Sequence, residues 1–175
     1  MGSARMELYH LAPLGLTPGS QIVAGRYGRL LQINGWNHPN AYREMHLEDV
    51  RRKQFPDRPS RLQASFAFLS FQEAIFFRHH FDGFRNHHLY MVELANPKAT
   101  SFITYYHWIN GWAARGHLML DPSWPERYWT GTSAVPPIET GPVPRDDFPL
   151  RLDIPAAHHK EFLTLSDLII IKQID

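Results

Sequence analysis

A chain of 175 residues has the length of one domain, and a domain of that size buries roughly 70% of its unfolded surface, so its core needs no covalent staple. The absence of Cys excludes disulfide frameworks, thiol nucleophiles and thiolate zinc sites. With 18 basic and 17 acidic residues the net charge is +1, too even for a general nucleic-acid polyelectrolyte, although the 11 His add positive charge in mildly acidic surroundings.

The first five residues are assigned no role, and residues 6–11 read as a strand. Pro18 and Gly19 mark a turn over residues 16–22, because Pro fixes φ and Gly accepts a positive φ. Residues 25–40 hold Gly25, Gly28, Gly35 and Pro39 and read as a long loop. Asn40 suits the N-cap of a helix from about Ala41 to Gln54, ended by Pro56. That helix lacks a clean apolar stripe and is expected to be mostly exposed. Its Arg43, Arg51, Arg52 and Lys53, with Arg58 and Arg61, form either a local basic patch or a solvated helix face.

Residues 62–69 read as a strand with Phe66 and Phe68 on one face and Ser65, Ala67 and Leu69 on the other. Ser70 and Glu73 form a capping box that opens a helix over about Phe71 to His80, with Ala74, Ile75 and Phe77 inward and Asp82-Gly83 closing it. Residues 89–94 are a strand stopped by Asn96-Pro97. Tyr105, Trp108, Ile109 and Trp112 fall at i, i+3, i+4 and i+7, the core face of a helix over residues 105–114. Further strands are expected at 127–132, 138–143, 150–154 and 168–174. Short strands with a few interposed helices make an α+β domain covering residues 1–175, with no internal repeat, low-complexity tract or linker. No apolar run approaches the ~20 residues that span a bilayer, and no apolar signal region opens the chain, so a cytoplasmic site of action is expected, including after delivery from another cell.

Three separated segments carry chemistry together: Tyr9-His10; Pro59-Ser60-Arg61 leading into Ser65-Phe66-Ala67-Phe68; and Tyr128-Trp129-Thr130-Gly131 followed by Glu139. In this order and spacing they resemble the three active-site blocks of the ADP-ribosyltransferases. Tyr-His at the end of a first strand, then a Pro-Gly turn and an Ile, is similar to the NAD-gripping strand of the rifampin-modifying members and of related toxin and defence transferases. The resemblance spans residues 7–145 through about a dozen positions. It departs from the family pattern at Leu11-Ala12, where the family has Gly-Thr, and at Phe66 and Phe68, where it has a Tyr.

The resemblance implies a split β-sandwich of two small sheets around an NAD cleft, with a few peripheral helices. It implies transfer of ADP-ribose from NAD, as co-substrate, to a macromolecular acceptor, nucleic acid or protein, by a bacterial toxin or defence effector that has a neutralising antitoxin or immunity partner. Breaking the nicotinamide–ribose bond passes through an oxocarbenium-like state and releases an already cationic group, so it asks for a carboxylate, a ring wall and donors, and for no metal. His10 would then hold the ribose, with a core strand histidine as the alternative. Arg61 would bind a phosphate or support the site through an ion pair, with a surface Arg as the alternative. Ser65 would sit beside the nicotinamide ribose, Phe66 or Phe68 would stack on nicotinamide, and Tyr9 and Tyr128 would complete the pocket; packing is the alternative for each. Glu139, at a strand start between rigid turns, would be the catalytic carboxylate, with Glu93 as its rival. The same site with water as acceptor gives an NAD glycohydrolase, and the fold without the chemistry gives a binding module. The adjacent pairs His79-His80, His87-His88 and His158-His159 do not suit one metal, because neighbouring strand residues point to opposite faces.

Overall fold

Alternating apolar residues build two antiparallel sheets in the computed structural model, which describes residues 6–110, 123–131 and 160–175. The first sheet has strands β1 (Leu8–Ala12), β2 (Gln21–Ile22), β4 (His88–Leu94) and β7 (Leu168–Gln173) in the order β1-β4-β7-β2. The second has β3 (Ser65–Ala67), β5 (Ser101–Tyr105) and β6 (Lys160–Thr164) in the order β3-β6-β5. A bridge between Tyr9 and Phe68 joins them, with backbone hydrogen bonds of 3.0 and 2.8 Å. The chain is thus mixed α+β, as its sequence suggests. Among the described residues no helix is long and apolar enough to cross a membrane.

Two faces of the second sheet are covered differently. Ala67 and Phe162 pack with Leu8, Val92, Leu168 and Ile170 between the sheets. Phe102 and Leu163, on the opposite face, pack with Leu47, Trp108, Tyr128 and Trp129 under helices α2 (Ala41–Gln54), α4 (His107–Asn110) and α5 (Trp124–Thr130). Helix α3 (Phe71–His80) covers the outer face of β1 through Leu11, Ala74, Phe77 and Leu89.

Several expectations hold closely. Helices α2 and α3 have the anticipated bounds, the Ser70 hydroxyl accepts from the Glu73 N–H at 3.2 Å, and β4 and β7 lie where the apolar runs put them. Others are corrected. Residues 25–40 are not a long loop but contain helix α1 (Arg26–Asn34) and a 3-10 turn (Gly35–Asn37). The glycines punctuate that helix: Gly25 at φ 76° precedes it and Gly35 at φ 52° ends it. Gly28 is there for close approach, because a Cβ on it would stand 2.0 Å from the Leu62 carbonyl oxygen.

Helix α2 is not mostly exposed. Ala41, Leu47 and Val50 are buried, and so are Arg43, Glu44 and Glu48, which is why no apolar stripe marks its inner face. Of the strand expected at residues 127–132, residues 127–130 belong instead to α5, with Pro125 in its first turn and Gly131 at φ 70° after its last residue, and Thr132 lies outside the described residues. Tyr105 ends β5 instead of opening a helix, while Trp108 and Ile109 are fully buried in α4. Trp112 and the strands expected at 138–143 and 150–154 lie outside the described residues.

Gly28→Ala separates two effects of opposite sign. Helix propensity favours Ala by roughly 1 kcal/mol, whereas a backbone clash of this depth costs about 2–3 kcal/mol. The variant is expected to unfold at lower urea concentration than the parent, and an unchanged or higher midpoint contradicts the packing described.

Candidate active site

Arg61 organises the helix side of the second sheet. Its guanidinium donates to Glu44 of α2 at 2.8 Å, to Glu161 of β6, and to the Tyr128 hydroxyl of α5 at 2.5 Å. The Tyr128 hydroxyl donates to Glu161 at 2.6 Å, and Arg43 donates to Glu44 at 2.8 Å. Arg61, Glu44 and Tyr128 are buried, so each charge relies on these partners. Burial pushes the Glu44 carboxyl up, but Arg61 and then Arg43 outweigh it and hold the group below the usual carboxylate range. Burial and the Glu161 charge push the Tyr128 phenol well above its usual value. Tyr27 is pushed up to about 12, chiefly by burial and then by Glu44.

Of the six cations expected as a basic patch or solvated face, Arg43 and Arg61 are buried and Arg51 is half-buried against Glu48; Arg52, Lys53 and Arg58 are exposed. The Arg61 guanidinium also lies over the rings of Phe66 at 4.9 Å and Tyr128 at 5.2 Å. Arg61, Phe66 and Tyr128 therefore form one group. Glu161, which the sequence did not single out, belongs to it: strand alternation puts Glu161 on the face of Leu163, whose cross-strand partner is Phe66.

A second group forms where the sheets part. Beyond the Tyr9–Phe68 bridge, β1 and β3 diverge, and the His10 Nδ1–H donates to the Phe66 carbonyl at 2.7 Å across the gap. That bond fixes the tautomer and leaves Nε2 as a lone pair with no partner among the described residues. Loss of water around the ring holds its pKa below the ordinary histidine value; the Phe66 carbonyl opposes this, and the nearby His87 and Arg26 add to it. The imidazole is neutral at pH 7. His10 shares its strand face with Leu8 and Ala12, and Ser65 shares its own with Ala67; all three apolar residues pack between the sheets. Ser65 is 4% exposed, and its hydroxyl has no hydrogen-bond partner among the described residues.

Tyr9 and Phe68 form a third group on the α3 side. Tyr9 meets Phe71 edge-on at 6.2 Å and Phe68 meets Phe77 at 5.1 Å. Glu93 sits on β4 opposite Ile169. Glu139 lies outside the described residues. The signal that could have revealed Glu161 is a strand: residues 160–164 are a β-rich run before the Ser166-Asp167 turn, after which β7 continues in the other sheet.

Arg61→Met removes the common partner of two buried carboxylates. A loss of about 3–5 kcal/mol at pH 7 is expected. In the parent, the depressed Glu44 pKa contributes stability that is present above its unfolded value of about 4.3 and lost as pH falls through the folded value. The gap between parent and variant should therefore narrow on acidification, and urea titrations at several pH values showing a constant gap would contradict this arrangement.

Comparison with known families places the match over residues 24–139, which include Arg61, Ser65, Phe66, Phe68, Tyr128 and Glu139, with Tyr9, His10 and Glu161 beyond it. A search of the curated proteins found no match. The matched family is described as "Protein of unknown function (DUF2441)" and takes in well over half of the chain, so the chain belongs to the DUF2441 family.

Proposed function

We propose that this chain is an NAD-dependent ADP-ribosyltransferase that moves ADP-ribose from NAD to a macromolecular acceptor, nucleic acid or protein. One observation carries the reading: His10 and Ser65, far apart in sequence, present polar atoms without partners to the same inter-sheet face where the sheets part. A neutral His10 offers Nε2 as acceptor to a ribose hydroxyl, and Ser65 offers a hydroxyl that can donate or accept. In the reaction the C–N bond between ribose and nicotinamide breaks, with its electron pair leaving on neutral nicotinamide. An acceptor lone pair forms the new bond at the ribose carbon, and the acceptor's proton passes to a carboxylate base. That carboxylate is Glu139 by resemblance; Glu161 belongs to the Arg61 group on the opposite face of the second sheet. Arg61 supports the site through its ion pairs with Glu44 and Glu161. The resemblance gives the apolar walls to Phe66, Phe68, Tyr9 and Tyr128, of which Phe66 and Tyr128 pack on the helix face of the second sheet and Tyr9 and Phe68 on the α3 side. NAD is the co-substrate and no metal takes part. A bacterial toxin or defence effector, with a cytoplasmic target and a neutralising partner, is the biological setting the resemblance supplies.

One observation favours a second reading. Arg61, Glu44, Glu161 and Tyr128 satisfy one another internally, as in a structural clasp, which suits a binding module that keeps the fold without the chemistry.

Incubation of the protein with NAD labelled in its adenylate portion and with cell extract separates these readings. Label on macromolecules is expected; free ADP-ribose alone means a glycohydrolase, and unchanged NAD means a binding module. His10→Ala should lower turnover by ~10²-fold or more with folding intact. Glu139→Gln tests the carboxylate and should lose transfer, whereas Glu161→Gln should lower the melting temperature, because Glu161 is tied to Arg61. Full activity in Glu139→Gln would sink the assignment of the carboxylate.

A further inference from the structure

Several of the exposed large apolar side chains fall in one short segment. Ile33 is 80% exposed, Trp36 70%, Tyr42 67% and Met45 52%, all between α1 and the first half of α2. An apolar surface gathered in this way marks an interaction site. Two further features give its chemistry.

The first is a stack left open. Tyr42 lies parallel to His46 on the next turn of α2, with planes 10° apart and centroids 6.3 Å apart, and His46 in turn leans on the buried Trp124 at 5.7 Å. The outer face of Tyr42 is the free end of that column. The second is charge. Glu44 of α2 is buried and paired inward, Glu48 is paired with Arg51 and Arg52 at 3.0 and 2.9 Å, and Lys53 neutralises Asp49 at 2.7 Å. The outward charges that remain are cationic: Arg26 and Arg29 are exposed, and Arg26 has no carboxylate partner among the described residues. Rings that can be stacked on, flanked by guanidiniums, suit a single strand of nucleic acid, whose bases stack and whose phosphates need cations.

The surface also leads to the candidate site. His38, next to this segment, meets Tyr27 edge-on at 6.0 Å, and Tyr27 meets Phe66 at 5.7 Å. The Phe66 carbonyl holds His10.

We propose that the outer surface of α1, the 3-10 turn and the start of α2 docks a single-stranded nucleic acid, with bases stacked on Tyr42 and Trp36 and phosphates held by Arg26 and Arg29. This names the acceptor class of the transferase and rests on that reading for its chemistry. The docking itself needs no NAD, so the two can fail separately.

Fluorescence anisotropy of a short labelled oligouridylate, with an oligothymidylate of equal length as second arm, tests it in the absence of NAD. Binding that weakens with rising salt is expected with at least one of them, and the tighter arm identifies the sugar. Trp36→Ala and Tyr42→Ala should each loosen binding about tenfold, and Arg26→Gln should flatten the salt slope by roughly one. All three side chains are exposed, so thermal melts should match the parent. No binding to either strand, or full affinity in the Trp36→Ala/Tyr42→Ala double variant, overturns the proposal. So does transfer of label to protein that persists after nuclease treatment. Oligonucleotide binding that survives in a His10→Ala protein devoid of transfer supports the docking surface independently of the catalytic site.

Discussion

The Arg61 guanidinium is the constraint on which the helix side of the molecule depends. It is the common partner of a carboxylate from α2, a carboxylate from β6 and a phenol from α5. Each of those groups is buried, and each would carry a desolvation cost with no return if Arg61 were absent. The apolar contacts of Leu47, Phe102, Trp129 and Leu163 drive the helices onto the sheet, but such contacts are non-directional. The directional fit of one guanidinium to three partners fixes which face of α2 turns inward and where α5 stops.

The same sheet has a second character on its other face. Between the sheets the packing is apolar up to the point where β1 and β3 separate, and there the buried Ser65 hydroxyl and the Nε2 of half-buried His10 have no partner among the described residues. The Arg61 group on the helix side is rich in charge and satisfied internally; the inter-sheet side is sparse in polar groups, and its Ser65 hydroxyl has no partner among the described residues. A buried polar group without a partner is a cost that structural packing does not require, and this contrast is what separates a clasp from a candidate site.

Legibility in the sequence followed the range of the interaction. Helices α2 and α3 could be bounded because caps are local: Asn40 and Ser70 precede them, and Ser70 makes its capping bond. The shared face of Ser65 and Ala67 followed from strand alternation. Helix α5 was taken for a strand because Tyr128, Trp129 and Thr130 favour strands, while the weightier signals were Pro125 and Gly131 at its two ends. Burial of α2 was not legible, because it rests on the meeting of Glu44 with Arg61 and, through it, Glu161. No local rule reports a contact across a hundred residues. Of the site residues expected from the resemblance, His10 and Ser65 lie on strand faces that point between the sheets, while Arg61, Phe66 and Tyr128 lie on the other face of the second sheet.

The strand order also sets the course of synthesis. Among the described residues, β3 and β5 have β6 as their only ladder partner, and β2 has only β7. These partners follow every other described element in the sequence. A nascent chain can form its helices and pair β1 with β4, but β3 and β5 remain unpaired edges until residue 160 has been made. Unpaired edges are templates for wrong partners. The chain is therefore most exposed to misassembly late in translation, and native order reaches the Arg61 clasp and the inter-sheet junction together, in one closing step.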